Sequence, residues 1–167
     1  MTQSKGSTAT FSSDRVYRYT LTRVLTDSPQ PRKIVWIMLN PSTADDTEDD
    51  PTIRRILGFS RKWGFDRLDV VNLFAFRATD PKDMLKASDP VGPDNDRIIL
   101  EVTEWADLIV GAWGNHGNYR SRAYQITQLL KACHLDIWCL GCTQSGQPKH
   151  PLYLAERLEP IPYIPRT

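Results

Sequence analysis

Side chains suited to chemistry stand where apolar stretches of this sequence end. The run Ile34–Leu39 is apolar throughout and rich in Ile, Val and Trp, which is typical of a short strand buried on both faces. It is followed by a turn-prone segment of Asn40, Pro41, Ser42, Thr43, Ala44 and Asp45. Because open parallel sheets bind ligands beyond the carboxyl ends of their strands, Asn40 is the first candidate for chemistry. The alternative is that Asn40 and Ser42 only cap and turn the chain.

A second amide occupies a comparable position. The segment Leu68–Phe74 predicts another core strand, with Asn72 near its carboxyl end. A buried amide without a partner costs about 1–3 kcal/mol, so Asn72 either bonds the neighbouring backbone or faces a ligand.

The remaining candidates lie further along the chain. Asp107–Ala112 predicts a third strand that ends at Trp113 and Gly114, and the N–H groups of Gly114 and Gly117 suit an anion beside the helix expected next. His150 lies on a later loop, stiffened by a proline on either side, where its imidazole can donate a hydrogen bond to a developing anion. The alternative is a turn histidine with no role in chemistry.

These candidates require a scaffold that brings strand ends together. Helical spacing predicts helices at residues 51–63, 83–87, 94–105, 119–131 and 153–158, and Leu135–Leu140 predicts a fourth strand. Val16–Leu25 alternates in polarity and predicts a strand that forms an antiparallel hairpin with Ile34–Leu39. The alternation of strands and helices predicts an α/β fold, a three-layer α/β/α sandwich with a mostly parallel four-stranded central sheet plus an N-terminal antiparallel strand.

Composition narrows the classes of function. The chain has 167 residues, enough for one domain with a real core, which we place at residues 14–167 behind a flexible tail at 1–13. Its 21 basic and 20 acidic residues give a net charge of +1, so nucleic-acid binding would need a local patch. No signal peptide or membrane-spanning run is visible, and the three cysteines suit a reduced compartment. We expect a cytoplasmic monomer without membrane contact.

Two clusters raise the question of a metal. The run from Asp45 to Asp50 has five acids in six residues, which suits a divalent cation or, more simply, a solvated loop before a helix N-terminus. Cys139 and Cys142 form a lone C-x-x-C pair and lack the converging ligands of a structural zinc site. We expect no metal site. Without a Walker-type phosphate loop or a dinucleotide fingerprint, we also expect no cofactor.

Nearly the whole chain, from about Tyr17 to Leu154, resembles an uncharacterised bacterial and phage family known only as a domain of unknown function, DUF1643. The resemblance lies in four segments, which are Asn40-Pro41-Ser42-Thr43-Ala44-Asp45, Asp50-Pro51-Thr52-Ile53, Ala112-Trp113-Gly114 and His150-Pro151-Leu152-Tyr153-Leu154. This resemblance implies no established activity.

In the same order, these motifs are also similar to those of the uracil-DNA glycosylase superfamily. That superfamily has Asp or Asn followed by Pro after its first strand, as in Asn40-Pro41. It has a base-reading Asn at the end of its second strand, in the place of Asn72, and a Trp-Gly pair after its third, like Trp113-Gly114. Its last loop, His-Pro-Ser-Pro-Leu, is similar to His150–Leu154. The resemblance implies a uracil-DNA-glycosylase-like sheet.

The resemblance also implies a role for each matched residue. Asn40 would orient the attacking water and stabilise the sugar cation, Asn72 would hold the edge of a flipped pyrimidine, and His150 would donate to the base oxygen. Leu154 would match the side chain that wedges into a duplex, although Leu152 and Tyr153 replace Ser and Pro. Asp45 would lie near the catalytic centre. The rest of the substrate site would be Pro41, Ser42, Thr43, Trp113 and Gly114.

We therefore expect a protein that recognises a nucleobase and hydrolyses an N-glycosidic bond in nucleic acid or a modified nucleotide. The acidic run would repel phosphates unless basic residues that share a face offset it; the candidates are Arg54, Arg55, Arg61, Lys62 and Arg67. Two alternatives remain. One is a metal-dependent nucleotide hydrolase or transferase that uses the acidic loop, and the other is a non-catalytic domain that binds a base or a partner.

Overall fold

The structure is a computed structural model, and it describes residues 6–42 and 47–166. Its strands are β1 (Thr8–Phe11), β2 (Arg18–Val24), β3 (Lys33–Met38), β4 (Arg67–Asn72), β5 (Leu108–Gly111), β6 (Trp138–Cys139) and β7 (Ile161–Pro162). Its α-helices are α1 (Pro51–Lys62), α2 (Pro81–Leu85), α3 (Asn95–Thr103) and α4 (Arg122–Ala132), and a kinked 3-10 segment spans Asn115–Ser121. The prediction of a mixed α/β fold is confirmed.

The described strands form one seven-stranded mixed sheet in the order β1-β2-β4-β3-β5-β6-β7. The strands β4, β3, β5 and β6 run parallel to one another, and β1, β2 and β7 are antiparallel to the strands with which they pair. The expected sheet had four strands and one added antiparallel strand, so the prediction gave too few strands. The extra strands are short and peripheral, and β1 lies within the expected tail at residues 1–13. Such strands carry little hydrophobic periodicity from which to predict them.

The predicted hairpin between the strand at Val16–Leu25 and the run Ile34–Leu39 is wrong. Strand β2 pairs antiparallel with β4, as in the pair Leu21 and Val70, and β3 lies between β4 and β5. Because β3 is apolar throughout, it is most stable at the centre of the sheet, where both its edges are already paired with parallel strands. No edge of β3 is then left for β2.

Strand β3 divides the core into two layers. Its residues Ile34, Trp36 and Met38 pack with side chains of α1, whereas Val35 and Ile37 pack with side chains of α3 and α4. Successive side chains of a strand point to opposite faces, so the two hydrophobic clusters lie on opposite sides of the sheet. Helix α1 covers one face, and α3 and α4 cover the other.

Local helix signals predict α1 well but fail near the C-terminus. The carboxylate of Asp50 accepts a hydrogen bond from the backbone N–H of Ile53 at 2.8 Å, and Pro51 opens α1, as predicted. Gly64 follows the helix with φ of +80°. The helix predicted at 153–158 is absent, since that segment consists of turns and Tyr153 has φ of +71°. Within the part of the chain that the structure describes, no helix is both long and apolar enough to cross a membrane.

Candidate functional site

A cavity of about 560 Å³ opens at the carboxyl ends of the central parallel strands. Its volume falls in the range of about 300–1,000 Å³ that is usual for small-molecule sites. Six residues predicted from the sequence line it, and they are Asn40, Ser42, Asn72, Trp113, Gly114 and His150. They come from loops that are far apart in the sequence, so the sheet brings them together.

The order of the parallel strands explains the position of the cavity. The chain passes from β3 through α1 to β4 on one side of β3, and later through α3 to β5 on the other side. The loops after adjacent parallel strands therefore run in opposite directions. This opens a crevice between them at the carboxyl edge of the sheet. The cavity occupies this crevice.

The amide of Asn40 is oriented by two backbone carbonyls. Its Nδ2 donates hydrogen bonds to the oxygens of Pro41, at 3.1 Å, and Ala78, at 2.9 Å. Both donor positions are therefore used by the protein, which leaves Oδ1 as the group that can accept a hydrogen bond in the cavity. Asn40 thus presents an acceptor, suited to a water molecule or to an N–H group of a ligand.

The side chain of Asn72 is buried without a partner. It is 3 % exposed and lines the cavity, and no hydrogen bond joins its amide to any residue in the described ranges. Its main-chain carbonyl, in contrast, accepts a hydrogen bond from Nδ2 of Asn95 at 2.9 Å. The backbone of Asn72 is therefore held in place while its carboxamide keeps a donor and an acceptor for a ligand.

The imidazole of His150 has a defined tautomer. The backbone N–H of Leu152 donates to Nδ1 of His150 at 3.2 Å, so Nδ1 is the acceptor and Nε2 carries the proton of the neutral ring. Burial lowers the pKa of His150 below its ordinary value of 6.5, against the opposing effect of the Asp50 carboxylate. His150 lies at the solvent-accessible mouth of the cavity, and at neutral pH it offers an uncharged N–H donor.

The indole of Trp113 forms a rigid wall of the cavity. Its Nε1 donates to Oε1 of Gln147 at 2.8 Å, and Nε2 of Gln147 donates to Oδ1 of Asn118 at 2.8 Å. Tyr163 packs edge-on against the ring, at a centroid distance of 5.7 Å. Gly117 lies so close to the indole that any Cβ would collide with it. The wall is therefore fixed by hydrogen bonds on one side and by close packing on the other.

The anion site predicted at Gly114 and Gly117 is wrong. The N–H of Gly114 donates to the carbonyl oxygen of Pro148 at 2.9 Å, and the N–H of Gly117 donates to the carbonyl oxygen of Gly114 at 3.2 Å. Both donors are used within the protein, so neither is available to an anion.

Two predicted residues, Pro41 and Leu154, do not line the cavity, and two others cannot be placed relative to it. Pro41 is buried beneath it, where its carbonyl also accepts a hydrogen bond from the N–H of Ala78 at 3.0 Å. Leu154 packs against the hydrophobic cluster beneath α1 and is not free to wedge into a duplex. Thr43 and Asp45 lie outside the described residues.

Two charged residues at the cavity were not predicted. Arg18, at the start of β2, is buried and lines it. Its position depends on the pairing of β2 with β4, which the hairpin prediction had wrong. Asp50 was interpreted as a helix cap and as part of the acidic run, but it also lines the cavity close to His150. Asp50-Pro51 follows the Asn40 loop closely in the sequence, and this short separation could have predicted that Asp50 lies near the cavity.

A family model described as "Protein of unknown function (DUF1643)" matches residues 18–152. The chain belongs to this family. No curated protein and no solved structure matches the chain.

The DUF1643 region coincides with the site. Every described residue that lines the cavity, from Arg18 to Leu152, falls within it, as do the four parallel strands. The strands β1 and β7 and the partly buried Leu154 fall outside. The part of the chain that defines the family is therefore the part that builds the cavity.

Acidic residues and cysteines that the structure describes take part in contacts that stabilise the fold. Asp49 forms an ion pair with the buried Arg23 at 3.1 Å, and Asp50 caps α1. Burial, with a further contribution from Cys142, raises the pKa of the Cys139 thiol to about 11, so Cys139 is a neutral thiol at pH 7. Among residues 6–42 and 47–166, no three His, Cys, Asp or Glu side chains converge as metal ligands.

Proposed function

We propose that this protein recognises a nucleobase in the cavity and hydrolyses its N-glycosidic bond. The observation that supports this most is the carboxamide of Asn72, which is 3 % exposed, lines the cavity and has no hydrogen-bond partner among the described residues. Its polar atoms open onto the cavity, so a ligand can replace the solvent around them with hydrogen bonds, each of which contributes about 0.5–1.5 kcal/mol. The edge of a pyrimidine offers an adjacent acceptor and donor that a carboxamide matches.

The apolar walls suit a flat ring. Met38, Leu39, Trp113 and Leu152 line the cavity together with the polar groups. Small-molecule sites combine apolar walls with a few oriented polar atoms in this way, the former providing binding energy and the latter specificity. A base would therefore be held by contact with these walls and oriented by Asn72.

The polar groups at the mouth suit cleavage of the glycosidic bond. In the proposed reaction, water attacks C1′ of the sugar while the bond from C1′ to the base nitrogen breaks and its electron pair leaves with the base. Oδ1 of Asn40 accepts a hydrogen bond from the attacking water, and Nε2–H of His150 donates to the base oxygen on which negative charge develops. The proton lost by the water ends on the released base.

Asn40 limits the substrates that this site can process. A carboxamide orients water but does not remove its proton, because it is not a base at neutral pH. Rates should therefore be modest and should rise with the stability of the departing base anion. Electron-poor or modified pyrimidines are the class of base that fits.

The motif order supports a distant relation to the uracil-DNA glycosylase superfamily as part of this proposal. Asn40-Pro41, Asn72 and Trp113-Gly114 follow β3, β4 and β5, and His150 follows β6. Leu154 is partly buried and packs against the cluster beneath α1, which argues against a leucine wedge of the kind that this resemblance implied.

The test is a base-release assay followed by mass spectrometry. Oligonucleotides that contain uracil, hypoxanthine or bulky modified pyrimidines are incubated with wild type, with Asn40→Ala and with Gln125→Ala, an exposed amide on α4 outside the cavity. Release that is lost in Asn40→Ala but kept in Gln125→Ala would establish the activity and its centre. Release from no substrate would reject hydrolysis of nucleic acid.

The same assay separates the two alternatives. Hydrolysis of a free nucleotide that needs a divalent cation and is lost in Asp45→Ala would favour a nucleotide hydrolase that uses the acidic loop. Binding of a base that is lost in Asn72→Ala, without turnover of any substrate, would favour a non-catalytic base-binding domain.

A further inference from the structure

A second hollow, of about 250 Å³, lies along the outer side of α1. It is lined by Arg54, Arg55, Gly58, Phe59, Lys62 and Glu156. The first turn of α1, Pro51 to Ile53, lines the cavity described above, and the later turns line this hollow. The two openings are therefore neighbours along one helix, and the hollow carries three basic side chains.

The acidic group in the hollow is held weakly. Glu156 forms an ion pair with Arg55 at 3.2 Å, and its side chain is 87 % exposed. Nζ of Lys62 donates to the backbone oxygen of Glu156 at 2.7 Å. Exposed ion pairs contribute about 0–1 kcal/mol, whereas a phosphate forms stronger, charge-assisted hydrogen bonds with Arg and Lys. A phosphate group can therefore replace the Glu156 carboxylate at Arg55.

One exposed aromatic residue lies in the segment of chain that joins the two openings. Tyr153 is 93 % exposed and stands in the loop between Leu152, which lines the cavity, and Glu156, which lines the hollow. Its φ of +71° is conformationally unfavourable for a residue with a side chain. The tight turn therefore places an aromatic ring in solvent in a strained backbone conformation. Exposed aromatic rings beside basic grooves are the usual platform on which bases of single strands stack.

We propose that this surface binds single-stranded nucleic acid, and that the polymer presents its base to the cavity from there. The phosphates of the strand occupy the hollow at Arg54, Arg55 and Lys62, a base stacks on Tyr153, and a neighbouring base enters the cavity. The inference rests on the proposed function for the identity of the cavity ligand. It adds that the substrate is a strand and not a free nucleotide, because a free nucleotide would leave the hollow and Tyr153 unused.

The test measures binding without any reaction. A fluorescein-labelled single-stranded oligonucleotide of about 15 unmodified nucleotides is titrated with the protein and followed by fluorescence anisotropy at several salt concentrations. The double variant Arg55→Glu/Lys62→Glu should bind at least about tenfold more weakly, with a salt slope smaller by about 0.7 for each lost phosphate contact. Tyr153→Ala should lose about tenfold through stacking alone. Glu156→Gln should bind more tightly than wild type.

Control experiments show whether binding is specific to this surface. They distinguish it from a general attraction to anions and from binding in the cavity. Lys131→Glu makes the same change of charge as Lys62→Glu, but on α4, on the other face of the sheet, and should leave binding unchanged. Equal binding by wild type and the double variant would overturn the proposal, as would equally tight binding of heparin or of anionic lipid vesicles. Oligonucleotide binding that depends on these residues, without base release, would reject the cavity chemistry and leave this surface standing.

Discussion

Nδ2 of Asn95 donates hydrogen bonds to the carbonyl oxygens of Asn72, at 2.9 Å, and of Leu73, at 3.2 Å. Asn95 is the first residue of α3 and is completely buried. Nε of Arg122, which opens α4, donates to the same oxygen of Leu73 at 2.7 Å. Two helices on one face of the sheet therefore hold the end of β4, and this is the segment that presents the Asn72 carboxamide to the cavity.

Replacing Asn95 should cost stability. The variant Asn95→Ala removes two hydrogen bonds in the interior, so we expect the free energy of unfolding to fall by about 1–3 kcal/mol. Base affinity should fall as well, because the backbone of Asn72 loses its support. Urea denaturation measures the first effect, and a loss below about 0.5 kcal/mol, the range of ordinary surface substitutions, would show that Arg122 alone holds this end of β4.

Replacing Asn72 should have the opposite effect on stability. Its carboxamide has no partner in the described residues, so Asn72→Val removes no hydrogen bond within the protein and introduces a side chain that suits a strand. We expect unfolding free energy equal to or above that of wild type, together with loss of base binding. A destabilisation of more than about 1 kcal/mol would mean that the amide serves the fold and not a ligand.

The lowered pKa of His150 gives a pH dependence with a defined sign. Because burial lowers this pKa below 6.5, the folded protein binds fewer protons than the unfolded chain between the folded-state pKa and 6.5. The stability contributed by His150 is therefore lost as the pH falls through this interval and is constant below it. NMR titration of the ring Cε1 proton measures the pKa, and His150→Gln should flatten this part of the profile of stability against pH.

A second variant checks the cause of this shift. Asp50→Asn removes the charge that opposes the lowering, so the pKa of His150 should fall further. The helix should be retained, since Asn is as good an N-cap as Asp. A pKa of His150 at or above 6.5 in the wild type would contradict the lowering that we attribute to desolvation of the ring.

The close approach of Gly117 to Trp113 can be tested with a matched pair of glycines. A Cβ at Gly117 would collide with Cδ1 of Trp113, so Gly117→Ala should displace the cavity wall and cost about 1–3 kcal/mol. Gly58 is exposed in the middle of α1 and no heavy atom lies within 4 Å of the corresponding Cβ. Gly58→Ala should therefore stabilise the protein by about 0.5–1 kcal/mol, as measured by thermal unfolding. Equal effects of the two changes would contradict the packing at Trp113.

Much of the site was predictable because its residues follow strands with strong local signals. Strand β3 is apolar from Ile34 onward, and the end of this apolar run marks Asn40 without any knowledge of the neighbouring strands. The same reasoning found Asn72 and His150. It missed Arg18 and Asn95, since a basic residue in an alternating strand and an amide at a helix start resemble ordinary surface residues until their partners are known.

The sequence by itself determined the mixed α/β class, the central strand β3, the cap of α1 at Asp50 and six of the residues around the cavity, because each depends on interactions within a few residues. Only the tertiary structure decided that β2 pairs with β4 and that Leu154 packs against the core while Tyr153 is exposed. Strand order is set by competition between edges for hydrogen bonds and burial, and this competition involves the whole chain. Hydrophobic patterns in the sequence indicate where a strand forms, but they do not indicate the strand with which it pairs.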